Sequence, residues 1–188
     1  IRFESGEGLD LEINRNYEHL DENFDIMGDG SLILSPGEYV NLSYEIEAST
    51  ASFRKVSGSI GYEAGGFWTG DISTLVLGCT IRPAPGVNLA GEYNYAKVTA
   101  ENSGFNTNLF RMDIGLDFTP DISLSSNIQY DDVSEVLGTN TRFRWIITPG
   151  TDVFFVYNHN WQNNPVLDKR LFTIQQGGAM KIVYTYRF

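Results

Sequence analysis

Apolar and polar residues alternate one for one along most of this chain. Leu9, Leu11 and Ile13 interleave with Asp10, Glu12 and Asn14, and Val40, Leu42, Tyr44 and Ile46 with Asn41, Ser43, Glu45 and Glu47. Successive side chains of an extended strand leave opposite faces, so each such segment predicts a β-strand with one apolar and one polar face. The alternation recurs over 56–63, over 74–82 with Leu75, Leu77, Cys79 and Ile81 on one side, and over 87–98 with Leu89, Tyr93 and Tyr95. Phe110, Met112, Ile114, Leu116 and Phe118 oppose Arg111, Asp113, Gly115 and Asp117, and Ile122, Leu124, Ile128 and Tyr130 oppose Ser123, Ser125, Asn127 and Gln129. Further strands are expected at 141–147, 152–161 and 179–188, the last placing Met180, Ile182, Tyr184, Tyr186 and Phe188 on one face. About ten strands result, most of them roughly 8–12 residues long, the length at which a tilted strand crosses a bilayer. Helical periodicity is absent, and apolar runs such as Trp145-Ile146-Ile147 are far too short for a membrane-spanning helix.

The connections carry a second signal. Short ones with turn chemistry are expected at 5–8, 83–86, 119–121 and 148–151, together with 49–55; longer and more polar ones at 19–38, 64–71, 99–105, 134–138 and 162–178. Every second connection is thus expected to be long. Tight turns on one side and long loops on the other are the asymmetry of an up-and-down barrel in the outer membrane.

Periodicity alone leaves open a soluble sandwich or lipocalin-like barrel with its apolar face turned inward. The polar faces favour a membrane. They carry charges of both signs, among them Arg111, Asp113, Asp117, Arg142, Arg144 and Lys181, with Asp10, Glu12, Glu45, Glu47 and Glu92 besides. Such faces suit a wet or ion-paired lumen. Tyr17, Tyr44, Tyr62, Tyr93, Tyr95, Tyr130, Trp161, Tyr186 and Phe188 are expected near strand ends, where aromatic rings favour the headgroup region. Backbone groups inside a bilayer must all be paired internally, so strands of this kind span only as a closed barrel. The fold class expected is all-β, an antiparallel up-and-down transmembrane β-barrel. Residues 1–188 form one domain in this reading, the C-terminal part of a larger barrel, because 1–4 reach only about 13 Å and cannot cross a membrane before the first turn.

Composition narrows the partners. Among 188 residues, 13 Lys and Arg against 24 Asp and Glu leave a formal net charge of −11, and no basic stripe offers a surface to phosphates, which disfavours nucleic acid. The lone Cys79 cannot form an internal disulfide and reads as a small apolar strand residue. The expected partners are the lipid bilayer of a bacterial outer membrane and, during biogenesis, the barrel-assembly machinery. The second follows from a resemblance: Ile182, Tyr184, Tyr186 and the terminal Phe188 are similar to the final-strand signature that this machinery recognises.

Several segments together resemble one family. They are Phe3-Glu4-Ser5-Gly6, the run 14–22, Pro36-Gly37-Glu38-Tyr39, Thr74-Leu75-Val76-Leu77-Gly78, Ile128-Gln129-Tyr130-Asp131, and Arg142-Phe143-Arg144-Trp145 through Pro149-Gly150-Thr151-Asp152-Val153-Phe154 to Tyr157-Asn158. In this combination the chain resembles the C-terminal domain, of unknown function, of large bacterial outer-membrane proteins that carry an N-terminal family-nine-like carbohydrate-binding module. The resemblance implies a barrel of more than ten strands. It implies no catalytic residue and no cofactor, and the sugar-binding role of a module absent from this chain is not carried over.

Candidate chemistry is sparse. His19 and His159 both fall at the expected outer rim, and a surface hydrolase built around His159 would need a positioned serine and an orienting partner that no spacing identifies. Asp21, Glu22, Asp25 and Asp29 crowd one loop but lack the regular spacing of a calcium loop, so a solvated loop is expected and no metal. Gly65-Gly66 and Gly177-Gly178 read as turns, since no helix follows either pair. Three functions remain: a pore, translocation conduit or surface anchor for an N-terminal module; a rim-located surface hydrolase; and a soluble binding sandwich.

Overall fold

A computed structural model describes residues 1–26, 28, 30, 32–100, 104–163 and 171–186. The described residues contain twelve strands and no helix: β1 (Gly8–Leu20), β2 (Phe24–Asp25), β3 (Ile33–Leu34), β4 (Gly37–Ser49), β5 (Val56–Phe67), β6 (Gly70–Ile81), β7 (Val87–Thr99), β8 (Gly104–Thr119), β9 (Ile122–Asp131), β10 (Val136–Thr148), β11 (Thr151–Asn163) and β12 (Leu171–Tyr184). Ten of them form one antiparallel up-and-down sheet in the order β1-β4-β5-β6-β7-β8-β9-β10-β11-β12, and β2 pairs with β3 separately. The expected ten-stranded meander is therefore present. The order begins at β1 and ends at β12 without a ladder joining them, so the described strands are not closed into a barrel.

The turns form where their chemistry places them. At the start, Gly6 adopts φ 92°, and Leu9 N–H donates to the Ile1 carbonyl at 2.9 Å, pairing the first residues with the beginning of β1. Pro83-Ala84-Pro85-Gly86 closes with Val87 N–H donating to Ala84 O at 3.1 Å. The Thr119 hydroxyl accepts from Ile122 N–H at 3.0 Å across the Pro120-Asp121 turn, and Gly150, at φ 92°, follows Pro149 in the next.

Two expected loops are strands instead. The stretch 64–71 is the tip of a hairpin in which only Trp68 and Thr69 lie between β5 and β6. Gly65, expected in a loop, stands opposite Ser43 in the ladder. Residues 171–178, expected within a long loop, belong to β12; that strand ends at Tyr184, and the end expected at 188 lies outside the described residues. A register shift hides its first half: Asn160 pairs with Gln175 but Trp161 with Thr173, leaving Ile174 as an extra residue. A bulge of this kind moves the apolar set from one parity to the other, which erases a strict two-residue period. Long and short connections consequently no longer alternate regularly, since 68–69 is short and 50–55 is not.

The chain divides into two compact units. One comprises Ile1–Ser52, Gly58–Leu77 and Asn94–Asn108, and the other Phe53–Ser57, Gly78–Tyr93 and the residues from Leu109 onward. In the first, β4 is covered in the reverse of a soluble strand: Ser43 is only 4% exposed, while Val40, Leu42, Tyr44 and Ile46 on the other face are all exposed. In the second, Phe110, Phe118, Trp145, Ile147, Phe155, Met180 and Ile182 are exposed. Among the described residues only Leu34, Ala51 and Val98 are buried apolar residues, and no large side chain is fully buried. Leu75 and Ile114 are half-buried and Ile182 is 61% exposed. An ordinary water-soluble domain gains its stability by removing such side chains from water.

Candidate functional site

From Leu109 onward, within the second unit, the polar face of β8 to β11 is built in cross-strand rows. Antiparallel pairing sets Arg111 opposite Gln129, Gln129 opposite Gly138 and Gly138 opposite Asn160. The next row runs Asp113, Asn127, Asn140 and Asn158, and a further one runs Asp117, Ser123, Arg144 and Phe154, with Lys181 of β12 beyond. The six charged residues expected on one face, Arg111, Asp113, Asp117, Arg142, Arg144 and Lys181, thus do share one. Side chains of neighbouring strands complete their interactions. Arg111 Nη2 donates to Glu92 Oε1 at 3.0 Å, and Asn127 Nδ2 to Asp113 Oδ1 at 2.7 Å. Arg144 reaches Asp152 Oδ1 through Nη2 at 3.1 Å and Nε at 3.3 Å. The guanidinium carbons of Arg142 and Arg144 lie 4.7 and 5.6 Å from the centre of the Phe154 ring, an aromatic on the polar face that period two would assign to the charged side. These pairs are half exposed, so each adds a few tenths of a kcal/mol rather than a rigid clamp.

The polar face of the first unit differs in sign. Glu12 stands opposite Glu45 and Glu45 opposite Glu63, while Asp10 stands opposite Glu47. Arg2 Nη1 meets Asp10 at 2.8 Å, close to the start of the chain. Like charges placed directly opposite repel, so this row persists against a small electrostatic penalty.

An aromatic cluster gathers where the β2–β3 hairpin meets the tip of β5 and β6. Trp68 stacks on Phe24 at 5.9 Å and receives Tyr39 edge-on at 5.3 Å, with the Tyr39 hydroxyl donating to Ser35 O at 2.6 Å. Trp68 sits at φ 56°, a backbone conformation that bulky residues rarely adopt. In the neighbouring acidic loop Asp25 accepts Gly28 N–H at 3.0 Å and Gly30 N–H at 2.7 Å, so its carboxylate shapes the turn. Asp29 lies outside the described residues, and no group of three His, Cys, Asp or Glu side chains among those described is placed to hold a metal ion.

The two histidines take different settings. His19, near the end of β1, has Nε2 3.3 Å from Oδ1 of the exposed Asp21. His159 stacks on Trp161 at 3.7 Å on the apolar face of β11, with Nδ1 3.0 Å from the Tyr157 hydroxyl and Nε2 2.8 Å from the Thr173 hydroxyl. A hydroxyl on each ring nitrogen gives a hydroxyl–imidazole–hydroxyl chain with no carboxylate in it. Thr173 was invisible to the sequence reading because the bulge at Ile174 conceals the parity of its strand.

Of the C-terminal residues, Ile182 and Tyr184 project exposed from β12, Tyr186 is exposed beyond it, and Phe188 lies outside the described residues. The aromatic placement needs correction. Tyr44, Tyr62, Tyr93 and Tyr95 fall in the middle of β4, β5 and β7, whereas Tyr17, Tyr130 and Trp161 stand near strand ends. Longer strands than expected move their midpoints onto these rings. No protein-family model matches the chain, and no curated protein matches it.

Proposed function

We propose that this chain is part of an outer-membrane β-barrel whose polar faces line an aqueous interior, and that it serves as a passive conduit or surface anchor for a further module. The observation that carries the reading is the inverted coverage of the strands. Exposed Leu, Ile, Phe and Tyr side chains line one face, polar side chains line the other, and among the described residues almost nothing apolar is buried. In water, a sheet exposing so many large apolar residues would lose about 1.5–3 kcal/mol of burial energy at each, whereas hydrocarbon solvates them. The resemblance in 142–158, and the aromatic final strand with its link to assembly in the outer membrane, support the same placement. Reconstitution of the full-length protein into planar bilayers tests the conduit. Stepwise single-channel currents are the expected result, and their absence at all voltages and salt concentrations removes the conduit, leaving the anchor.

One observation favours a second reading, a hydrolase acting at the lipid surface: the Thr173 hydroxyl 2.8 Å from His159 Nε2, on the apolar face. In that reading the imidazole takes the threonine proton and Tyr157 orients the ring. Lipase, protease and esterase assays of His159→Ala against the native protein decide it, equal rates disposing of the idea.

A further inference from the structure

Where the charged rows of β8 to β11 end, neutral amides take over. Gln129, Asn140, Asn158, Asn160 and Gln175 line an open concavity of about 430 Å³ on the polar face of β9 to β12. Gly138 stands in the row between Gln129 and Asn160, and a Cβ added there would come within 3.0 Å of Asn160 Oδ1, so the glycine keeps the middle of the row free of side chain. The amides join in cross-strand pairs: Asn140 Nδ2 donates to Asn158 Oδ1, and Asn160 Nδ2 donates to Gln175 Oε1 at 3.4 Å. A primary amide offers two donors and a carbonyl with two lone pairs, so one bond per pair leaves most of this capacity directed into the concavity. Donors and acceptors then stand side by side at the strand spacing of about 4.8 Å.

Among the described residues no cationic side chain lines the concavity. Arg111 is paired with Glu92 and Asp113 accepts from Asn127, while Asp131 on the lining accepts from Val133 N–H at 2.9 Å and the Ser134 hydroxyl at 3.0 Å. An anion therefore meets no opposite charge here. A neutral polyhydroxylated molecule fits, because each of its hydroxyls both donates and accepts and so matches an amide array. We infer that this concavity binds a neutral saccharide. The inference deepens the conduit reading and rests on it, since it names the class of solute that the polar interior would receive.

The test titrates the full-length protein in detergent with maltohexaose, and with a glucuronate oligosaccharide of equal length, by isothermal calorimetry, and repeats the maltohexaose additions during bilayer recordings. Saturable binding of maltohexaose is expected, at least about tenfold weaker in the double variant N140L/N158L, which removes one amide pair. Gly138→Val, which fills the row while leaving every amide in place, is expected to weaken binding likewise and serves if the double variant does not fold. No heat with maltohexaose, tighter binding of the charged oligosaccharide, or native affinity in both variants overturns the inference. Currents that maltohexaose leaves unblocked, with no calorimetric binding, overturn the inference while the conduit stands. Calorimetric binding without any current overturns the conduit while the saccharide site stands.

Discussion

Gly65 shows how much one missing side chain decides. A Cβ built on it would lie 2.5 Å from Ser43 Cα and 2.7 Å from Ser43 Cβ, so β4 and β5 approach as closely as they do only because position 65 carries none. Gly65→Ala is expected to destabilise the protein by about 1–3 kcal/mol through this overpacking, while Gly91→Ala, with nothing within 4 Å of the added carbon, is expected to be near neutral. Urea titration of the two variants folded in phospholipid vesicles checks the difference. Trp68 makes the opposite compromise. Its left-handed backbone is held by ring contacts with Phe24 and Tyr39, each worth about 0.5–1.5 kcal/mol. Trp68→Gly relieves the backbone and loses both contacts, so the β2–β3 hairpin is expected to be cleaved faster in limited proteolysis while the ten-stranded sheet resists as before. The Gly65-Gly66 pair read as a turn from sequence because glycine marks turns and close strand approaches alike. Which of the two it marks depends on the partner strand.

At the scale of the strand, period-two alternation carried both the existence and the facing of most elements. In β4 the polar residues Asn41, Ser43 and Glu45 are more covered than Val40, Leu42, Tyr44 and Ile46, the parity that the alternation sets apart. Ile46→Arg and Phe155→Arg place a charge on that exposed side near mid-strand. In a bilayer each is expected to destabilise by about 2–4 kcal/mol, whereas an exposed position in water would change by no more than about 0.5 kcal/mol. Unfolding in vesicles measures which applies, and losses under 1 kcal/mol at both positions would count against the membrane placement. The carboxylate row Glu12–Glu45–Glu63 gives a prediction of opposite sign. Glu45→Gln removes the middle charge and is expected to stabilise by a few tenths of a kcal/mol at low salt, the gain fading as salt rises. Strand ends were less legible. The beginning of β12 escaped because Ile174 is a bulge, and the glutamines and glycines around it carry no strong strand propensity.

For the whole molecule, the exposed apolar faces lead to one bulk expectation: the purified protein partitions into detergent micelles or lipid vesicles and precipitates when detergent is withdrawn. Monodisperse protein in detergent-free buffer at neutral pH, with its net charge of −11, would contradict the placement. By itself the sequence determined the all-β class, the antiparallel meander of ten strands, and the tight turns at 83–86, 119–121 and 148–151. Those properties follow from a two-residue period and from local turn chemistry, both of which a single strand expresses alone. The register, the bulge at Ile174, the closeness of Gly65 to Ser43, the Tyr157–His159–Thr173 chain and the gathering of amides around Gly138 were decided only by the tertiary structure. Each is a relation between strands, and the alternation within one strand is the same whichever residue of its neighbour stands opposite.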